Sequence, residues 1–219
     1  MHIDASEIYI CNLLDYTNEE INVISNMIYI LPKMVQERIS TIRNEQNKIR
    51  SIMAWMMFCF LSDRYNYDTT ELALGIYGKP YLRNSNVNFN ISHSGQWIVI
   101  GFSNSPIGVD VEEKEVTNVH KVLEFFSDND REYFYTYCGD VKKAFKFFWS
   151  AKEAWVKYLG IGLKSIFSGD ITQWKKDDFL KSKQLELNNG AALSIYAEDD
   201  GICCYNIKIT EFGLKVLNI

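Results

Sequence analysis

The chain has 219 residues, 47% hydrophobic and 23% charged, with a formal net charge of −5. Domains run to about 100–150 residues, so this is one large domain or two small ones; three prolines and no Gly/Ser-rich tract exclude a long flexible linker. The acidic balance argues against nucleic-acid binding, where phosphate neutralisation supplies most of the affinity, but it leaves room for a local basic pocket.

Met1–Asp4 lacks the basic start and apolar run of a signal peptide. Ile8–Leu13 reads as a first strand. A polar, mostly helical region follows from Glu19 to about Arg64, in which Ile49, Ile52, Met53, Met56, Met57 and Phe60 recur at helical spacing and predict one buried face. Its most apolar part, Ile52 to Leu61, is too short to span a bilayer, which takes about 20 residues. Gly75 and Gly78 punctuate a loop leading into Lys79-Pro80.

Asn88–Ser92 alternates as a half-buried strand does. Trp97–Phe102 is nearly all apolar, as in a strand covered on both faces. Ser92-His93-Ser94-Gly95 reads as the loop between them, and Ile107–Glu112 begins another strand. Val119–Phe134 is helical with an interruption near Ser127, where Ser127 and Asp130 suggest an N-cap. Lys142–Leu159 is a long helix stopped by Gly160. Short strands close the chain at Leu185–Leu187, Ala192–Ala197 and Cys203–Thr210, the last two separated by the turn Asp199-Asp200-Gly201. This order predicts an α+β fold with two halves, residues 1–105 and 106–219. The five cysteines (Cys11, Cys59, Cys138, Cys203, Cys204) show no metal-ligand spacing and read as free thiols in a reducing cytoplasm.

Three segments carry candidate chemistry. In Ile107-Gly108-Val109-Asp110-Val111-Glu112, side chains alternate faces, so Asp110 and Glu112 fall together opposite Ile107, Val109 and Val111. Two carboxylates on one strand face suit Mg²⁺, although for a hexapeptide alone the plainer account is an edge strand with acidic outward positions. In the long helix, Lys146, Ser150, Glu153 and Lys157 share one stripe. Taken alone, Glu153 and Lys157 are a solvent-facing i,i+4 pair worth about 0.3–0.5 kcal/mol. Ser92-His93-Ser94 lacks a Gly-x-Ser-x-Gly elbow, which leaves a hydrolase triad little support; its hydroxyls, imidazole and backbone N–H groups could instead meet a phosphate.

The order of these pieces is more specific than any one of them. Gly78-Lys79-Pro80, Phe89-Asn90-Ile91-Ser92-His93-Ser94, Gly108-Val109-Asp110-Val111-Glu112, Phe125-Phe126-Ser127 and Trp149-Ser150-Ala151-Lys152-Glu153-Ala154-Trp155-Val156-Lys157 together resemble the motif series of the Sfp-type 4′-phosphopantetheinyl transferases, from about Arg50 to Lys157. The resemblance implies two similar α+β halves with a ligand cleft between them. It implies transfer of the phosphopantetheine arm of coenzyme A to a serine of an apo acyl or peptidyl carrier protein, with Mg²⁺ as cofactor. Asp110, Glu112 and Glu153 would then be metal ligands. Lys157 would face the pyrophosphate, Lys79, Pro80, Ser92 and His93 would hold coenzyme A, and Arg50 would meet its 3′-phosphate, with Arg38 and Arg43 as weaker candidates.

Where the family commonly has a Glu after Phe-Phe-Ser, this chain has Asp130. The base that takes the serine proton is either Glu153 or Asp130. The aromatics Phe125, Phe126, Phe134 and Tyr135 are either a carrier-docking surface or core. Competing readings are a non-catalytic coenzyme A-binding module, an unrelated Mg²⁺-dependent nucleotide hydrolase and a structural or interaction protein. The expected protein is a cytoplasmic monomer with no nucleic-acid or membrane partner.

Overall fold

The computed structural model describes residues 5–136, 139–167, 182–198 and 201–217. The readings of Met1–Asp4, Cys138 and the Asp199-Asp200 half of the last turn lie outside the described residues. The fold is mixed α+β, built in layers.

The first strand, β1 (Ser6–Asn12), leads into α1 (Asn18–Asn26). Thr17 and Glu20 start that helix as a reciprocal cap: each side chain accepts the other's backbone N–H. Next come α2 (Lys33–Ser40) and α3 (Glu45–Arg64), the latter capped by Asn44. α3 is more deeply covered than its predicted stripe, because Trp55, Phe58 and Leu61 are buried beside Ile52, Met53, Met56 and Met57. Phe58 stacks on Phe89 and Phe102 of the sheet beneath, which explains why the apolar positions nearly encircle the helix.

The Gly75–Gly78 turn joins two short strands, β2 (Leu72–Leu74) and β3 (Pro80–Leu82), that the sequence reading treats as loop. β4 runs from Asn88 to Ser94 and β5 from Trp97 to Ser103, paired Ser92 to Val99 and Ser94 to Trp97. Ser92-His93-Ser94 is therefore strand rather than loop, and the turn is confined to Gly95-Gln96, where Gly95 takes φ +56°. β5 is buried at every residue, as expected. Ile98, Ile100 and Phe102 join the core under α3, and Trp97 and Val99 join a second core with Ile107, Val109 and Ile195.

That second core is roofed by a three-stranded sheet: β6 (Ile107–Glu112), β7 (Lys183–Glu186) and β8 (Ala192–Ala197) in the order β6-β8-β7. The short α4 (Val119–Leu123) and α5 (Asp128–Tyr135) precede α6 (Val141–Leu159), which crosses the outer face of this sheet. Ser127 caps α5 through the N–H of Asp130, as its spacing predicts. Gly160 ends α6 in the left-handed conformation at φ +68°. Gly108 is required by proximity: a Cβ there would stand 1.9 Å from the Ala154 carbonyl oxygen, so α6 lies directly on β6.

The chain then returns. β9 (Ile202–Thr210) pairs parallel with β1, and β10 (Gly213–Leu217) follows it, giving a five-stranded sheet in the order β10-β9-β1-β5-β4. The division expected at 105/106 separates β5 from β6, but β9 and β10 lie on the first sheet. Exposed polar positions along β9 and β10 concealed this from periodicity.

Candidate active site

β4 is an edge of the five-stranded sheet and β6 an edge of the three-stranded one, and the two run side by side with no backbone ladder between them. Side chains fill that gap. Asn90 Oδ1 accepts the N–H of Val109 at 2.8 Å, Ser92 Oγ that of Val111 at 3.3 Å, and Ser94 Oγ that of Glu113 at 3.2 Å. Because strand side chains repeat every two residues, these three stand in register with every second amide of β6.

The same hydroxyls reach the β6 carboxylates. Ser92 Oγ donates to Asp110 Oδ1 at 2.9 Å, and Ser94 Oγ donates to Glu112 Oε2 at 3.0 Å. From above, α6 directs Ser150 to the Asp110 carbonyl at 3.0 Å and Lys157 Nζ to Asp110 Oδ1 at 2.5 Å. Lys157 also touches Ser92 Oγ at 3.1 Å and lies 3.5 Å from Glu153 Oε2. The stripe predicted on α6 therefore faces β6 and not solvent.

One ligand oxygen from each of Asp110, Glu112 and Glu153 falls within 4.8 Å of the others. Three carboxyl groups here face one ammonium. Burial first, then the charge of Asp110, pushes Glu153 up to about 8. Glu112 is raised for the same reasons. Burial disfavours the Lys157 cation, but Asp110 and then Glu153 outweigh it and hold its affinity for the proton above normal. Asp110 Oδ2 is buried with no hydrogen-bond partner. A buried unmatched acceptor beside two carboxyls that resist ionisation fits a hard divalent cation bound through oxygen.

The cluster forms the floor of a cleft of about 510 Å³, lined also by Pro80, Ser92, His93 and Arg38. His93 is held below its ordinary value, mainly by burial and further by the charges of Arg50 and Lys157. A larger depression of about 880 Å³, around Tyr67, Tyr81 and Asn104, has no carboxyl or cationic side chain in its lining and offers no comparable chemistry.

Three of the predicted residues stand apart. Lys79 Nζ donates to the carbonyls of Ile107 at 2.9 Å and Tyr158 at 3.3 Å, and burial lowers it to about 8. It ties the β2–β3 hairpin to the end of α6, where unpaired helix carbonyls attract a cation. Arg50 donates to the Gly95 carbonyl at 2.9 Å, adjacent to His93 but outside the cleft lining. Asp130 is not brought to the cluster: its carboxylate is buried against Lys152 Nζ and also accepts from Ser127 Oγ. A carboxylate one turn into α5 meets the inward lysine of α6 before it can reach β6. The aromatic group divides as well, with Phe126 and Phe134 in the core and Phe125 and Tyr135 63% and 57% exposed.

The sequence reading gave no role to Asn90 or Trp55, and it read the Ser94 hydroxyl as a phosphate contact where the structure gives it to Glu112. For Asn90 and Ser94 a signal was present, in the polar alternation Asn90-x-Ser92-x-Ser94 on a strand that also alternates apolar residues.

Residues 106–204 match the model of the 4′-phosphopantetheinyl transferase superfamily. The chain is 28% identical over 145 residues to the 4′-phosphopantetheinyl transferase ffp of Bacillus subtilis, covering 64% of this chain and 65% of that relative. It is 33% identical over 109 residues to 4′-phosphopantetheinyl transferase Sfp of Bacillus subtilis strain 168, 47% of this chain and 48% of the relative. A third match, at 27% over 163 residues, is the L-aminoadipate-semialdehyde dehydrogenase-phosphopantetheinyl transferase of Candida glabrata, covering 68% and 62%. The matched stretches thus span about half to two thirds of these relatives. The motif resemblance to the Sfp-type transferases is borne out. No helix among the described residues is long and apolar enough to cross a membrane.

Proposed function

We propose that this relative of the Sfp-type enzymes transfers 4′-phosphopantetheine from coenzyme A to a serine of an apo acyl or peptidyl carrier protein and releases 3′,5′-ADP. The observation that carries the reading is the carboxylate trio Asp110, Glu112 and Glu153, with Lys157 against it and Asp110 Oδ2 buried without a hydrogen-bond partner. Mg²⁺ is the cation we assign to the trio, and when bound it would neutralise pyrophosphate charge as a Lewis acid.

The protein's own part is positioning and charge. Lys157 remains cationic in its carboxylate setting, so it can stabilise charge developing on phosphate oxygens. The serine oxygen bonds to the phosphorus that carries pantetheine, the bond from that phosphorus to the 3′,5′-ADP oxygen breaks, and the serine proton passes to a carboxylate. We assign that proton to Glu153, the carboxyl that α6 brings into the cleft beside Lys157. Asp130, sealed against Lys152, is a poor candidate for it.

His93, Ser92, Pro80 and Arg38 line the cleft and are the coenzyme A contacts we favour, with Arg50 beside them and Lys79 holding the hairpin that carries Pro80. The cleft lies at the meeting of the two sheets, and we read the chain as two halves joined there. The carrier would approach on the α5 side, where Phe125 and Tyr135 are exposed. Free thiols at Cys11, Cys59, Cys203 and Cys204 suit a reducing cytoplasm.

Intact-mass analysis of apo carrier proteins incubated with this protein, coenzyme A and Mg²⁺ tests the reading. The expected result is a gain of one phosphopantetheine on the carrier, lost with EDTA. No gain on any carrier, with coenzyme A bound, would leave a binding module. Release of 3′,5′-ADP without a carrier would mark a hydrolase.

A further inference from the structure

The carboxylate trio spans two elements that share no backbone pairing with β4, yet β4 decides where two of its members stand. β6 forms its backbone ladder with β8. The N–H groups of Val109, Val111 and Glu113 on its other edge would be unmatched but for Asn90, Ser92 and Ser94. Leaving one such buried donor without a partner costs about 1–3 kcal/mol, so these contacts fix the height of β6 along β4 strongly.

We propose that Asn90 and Ser94, to which the proposed reaction assigns no role, are positioning residues for the cation site. Asn90 locks the strand in register two residues below Ser92. Ser94 fixes the carboxylate of Glu112. The inference rests on reading the trio as a metal site.

Ser94 has two tasks in one hydroxyl. Its oxygen accepts the N–H of Glu113 at 3.2 Å while its proton goes to Glu112 Oε2 at 3.0 Å. One bond sets the backbone and the other sets the side chain, so the direction of Glu112 is tied to the position of the strand that carries it. Glu112 also accepts a hydrogen bond from Trp149 of α6, so Ser94 and α6 hold it from two sides, while Asp110 is held by Ser92 and Lys157. Asn90 is buried, and its Oδ1 meets Val109, the residue before Asp110. Residues that orient the ligands of a metal typically change its affinity about 10–100-fold when removed, without touching it themselves.

The test is Mn²⁺ binding measured by electron paramagnetic resonance, with no substrate present, on the parent protein and on Ser94→Ala, Ser94→Thr and Asn90→Ala. Ser94→Ala should weaken Mn²⁺ by about 10-fold or more in protein that remains folded, with a melting midpoint about 2–12 °C lower. Ser94→Thr keeps the hydroxyl and should return the affinity to near the parent value. Asn90→Ala should shift affinity in the same direction. A residue that only supports the fold would lower the melting temperature while the folded protein kept its Mn²⁺ affinity, and that result would overturn the proposal. Failure of Ser94→Thr to restore what Ser94→Ala loses would overturn it too. A parent protein that binds no Mn²⁺ would instead refute the metal site itself, and this inference with it.

Discussion

α6 carries two buried lysine–aspartate pairs barely more than one turn apart, and they behave as opposites. Lys152 meets Asp130 in the core, where Ser127 donates to the same carboxylate oxygen and Phe126 lies beneath the ammonium at 4.8 Å. One charge meets one charge, and the two side chains are 0% and 2% exposed. Lys157 meets Asp110, but Glu112 and Glu153 crowd the same space, and Asp110 Oδ2 has no partner. Both aspartates are buried and within hydrogen-bond reach of their lysines, of which Lys152 is 0% and Lys157 18% exposed. What distinguishes a site from a structural pair here is surplus negative charge and an unmatched acceptor facing a cleft.

That contrast can be broken most sharply at Asp110. Asp110→Ala should lower transfer by about 10³-fold or more, because it would remove a proposed ligand of the cation and the partner of Lys157 together. The far-UV circular dichroism should stay close to the parent, whereas gross unfolding would make Asp110 a structural residue. The mirror experiment is Lys152→Met, which strands Asp130 in the core. It should destabilise the protein by about 3–5 kcal/mol in urea titration, while the folded fraction keeps most of its turnover. A selective loss of turnover with unchanged stability would place Asp130 in the chemistry after all.

Gly108→Ala should have a smaller effect, about 1–3 kcal/mol, by forcing α6 away from β6. Its signature is a joint loss of stability and Mg²⁺ affinity, since Glu153 and Lys157 ride on α6. Stability lost with no change in affinity would mean that the helix can shift without opening the site.

The smallest expected effect concerns pH. Glu153 in the folded, metal-free protein binds its proton up to about 8, well above an ordinary glutamate. Between the two values the folded state holds a proton that the unfolded state has released, so stability falls as pH rises across that window. With EDTA, the melting temperature should decline from pH 5 to pH 8 as Glu153, and Glu112 beside it, release their protons. Mg²⁺ should recover more at pH 8 than at pH 6, and Glu153→Gln should flatten the slope. An unchanged slope in Glu153→Gln would assign the effect elsewhere.

Much of this was legible in the sequence because it rests on local rules. The alternation of Ile107–Glu112 put Asp110 and Glu112 on one face, the helical stripe brought Glu153 and Lys157 together, and Ser127 and Gly160 marked helix ends by their capping chemistry. Resemblance joined the two elements, which spacing could not. What stayed hidden depends on contacts distant in sequence. Nothing local shows that β9 and β10 return to β1, that Lys79 is drawn to the end of α6, or that Asp130 meets Lys152 before β6. Asn90 and Ser94 were visible as a polar alternation, but their meaning depends on an unpaired strand edge lying opposite.

The most direct test compares the two aspartates in one assay. Asp110→Asn and Asp130→Asn keep the size of each side chain and remove its charge, and carrier mass is then read after incubation with coenzyme A and Mg²⁺. The account predicts that Asp130→Asn still loads the carrier, at reduced protein stability, and that Asp110→Asn does not. Loading by Asp110→Asn together with its loss in a folded Asp130→Asn would contradict it.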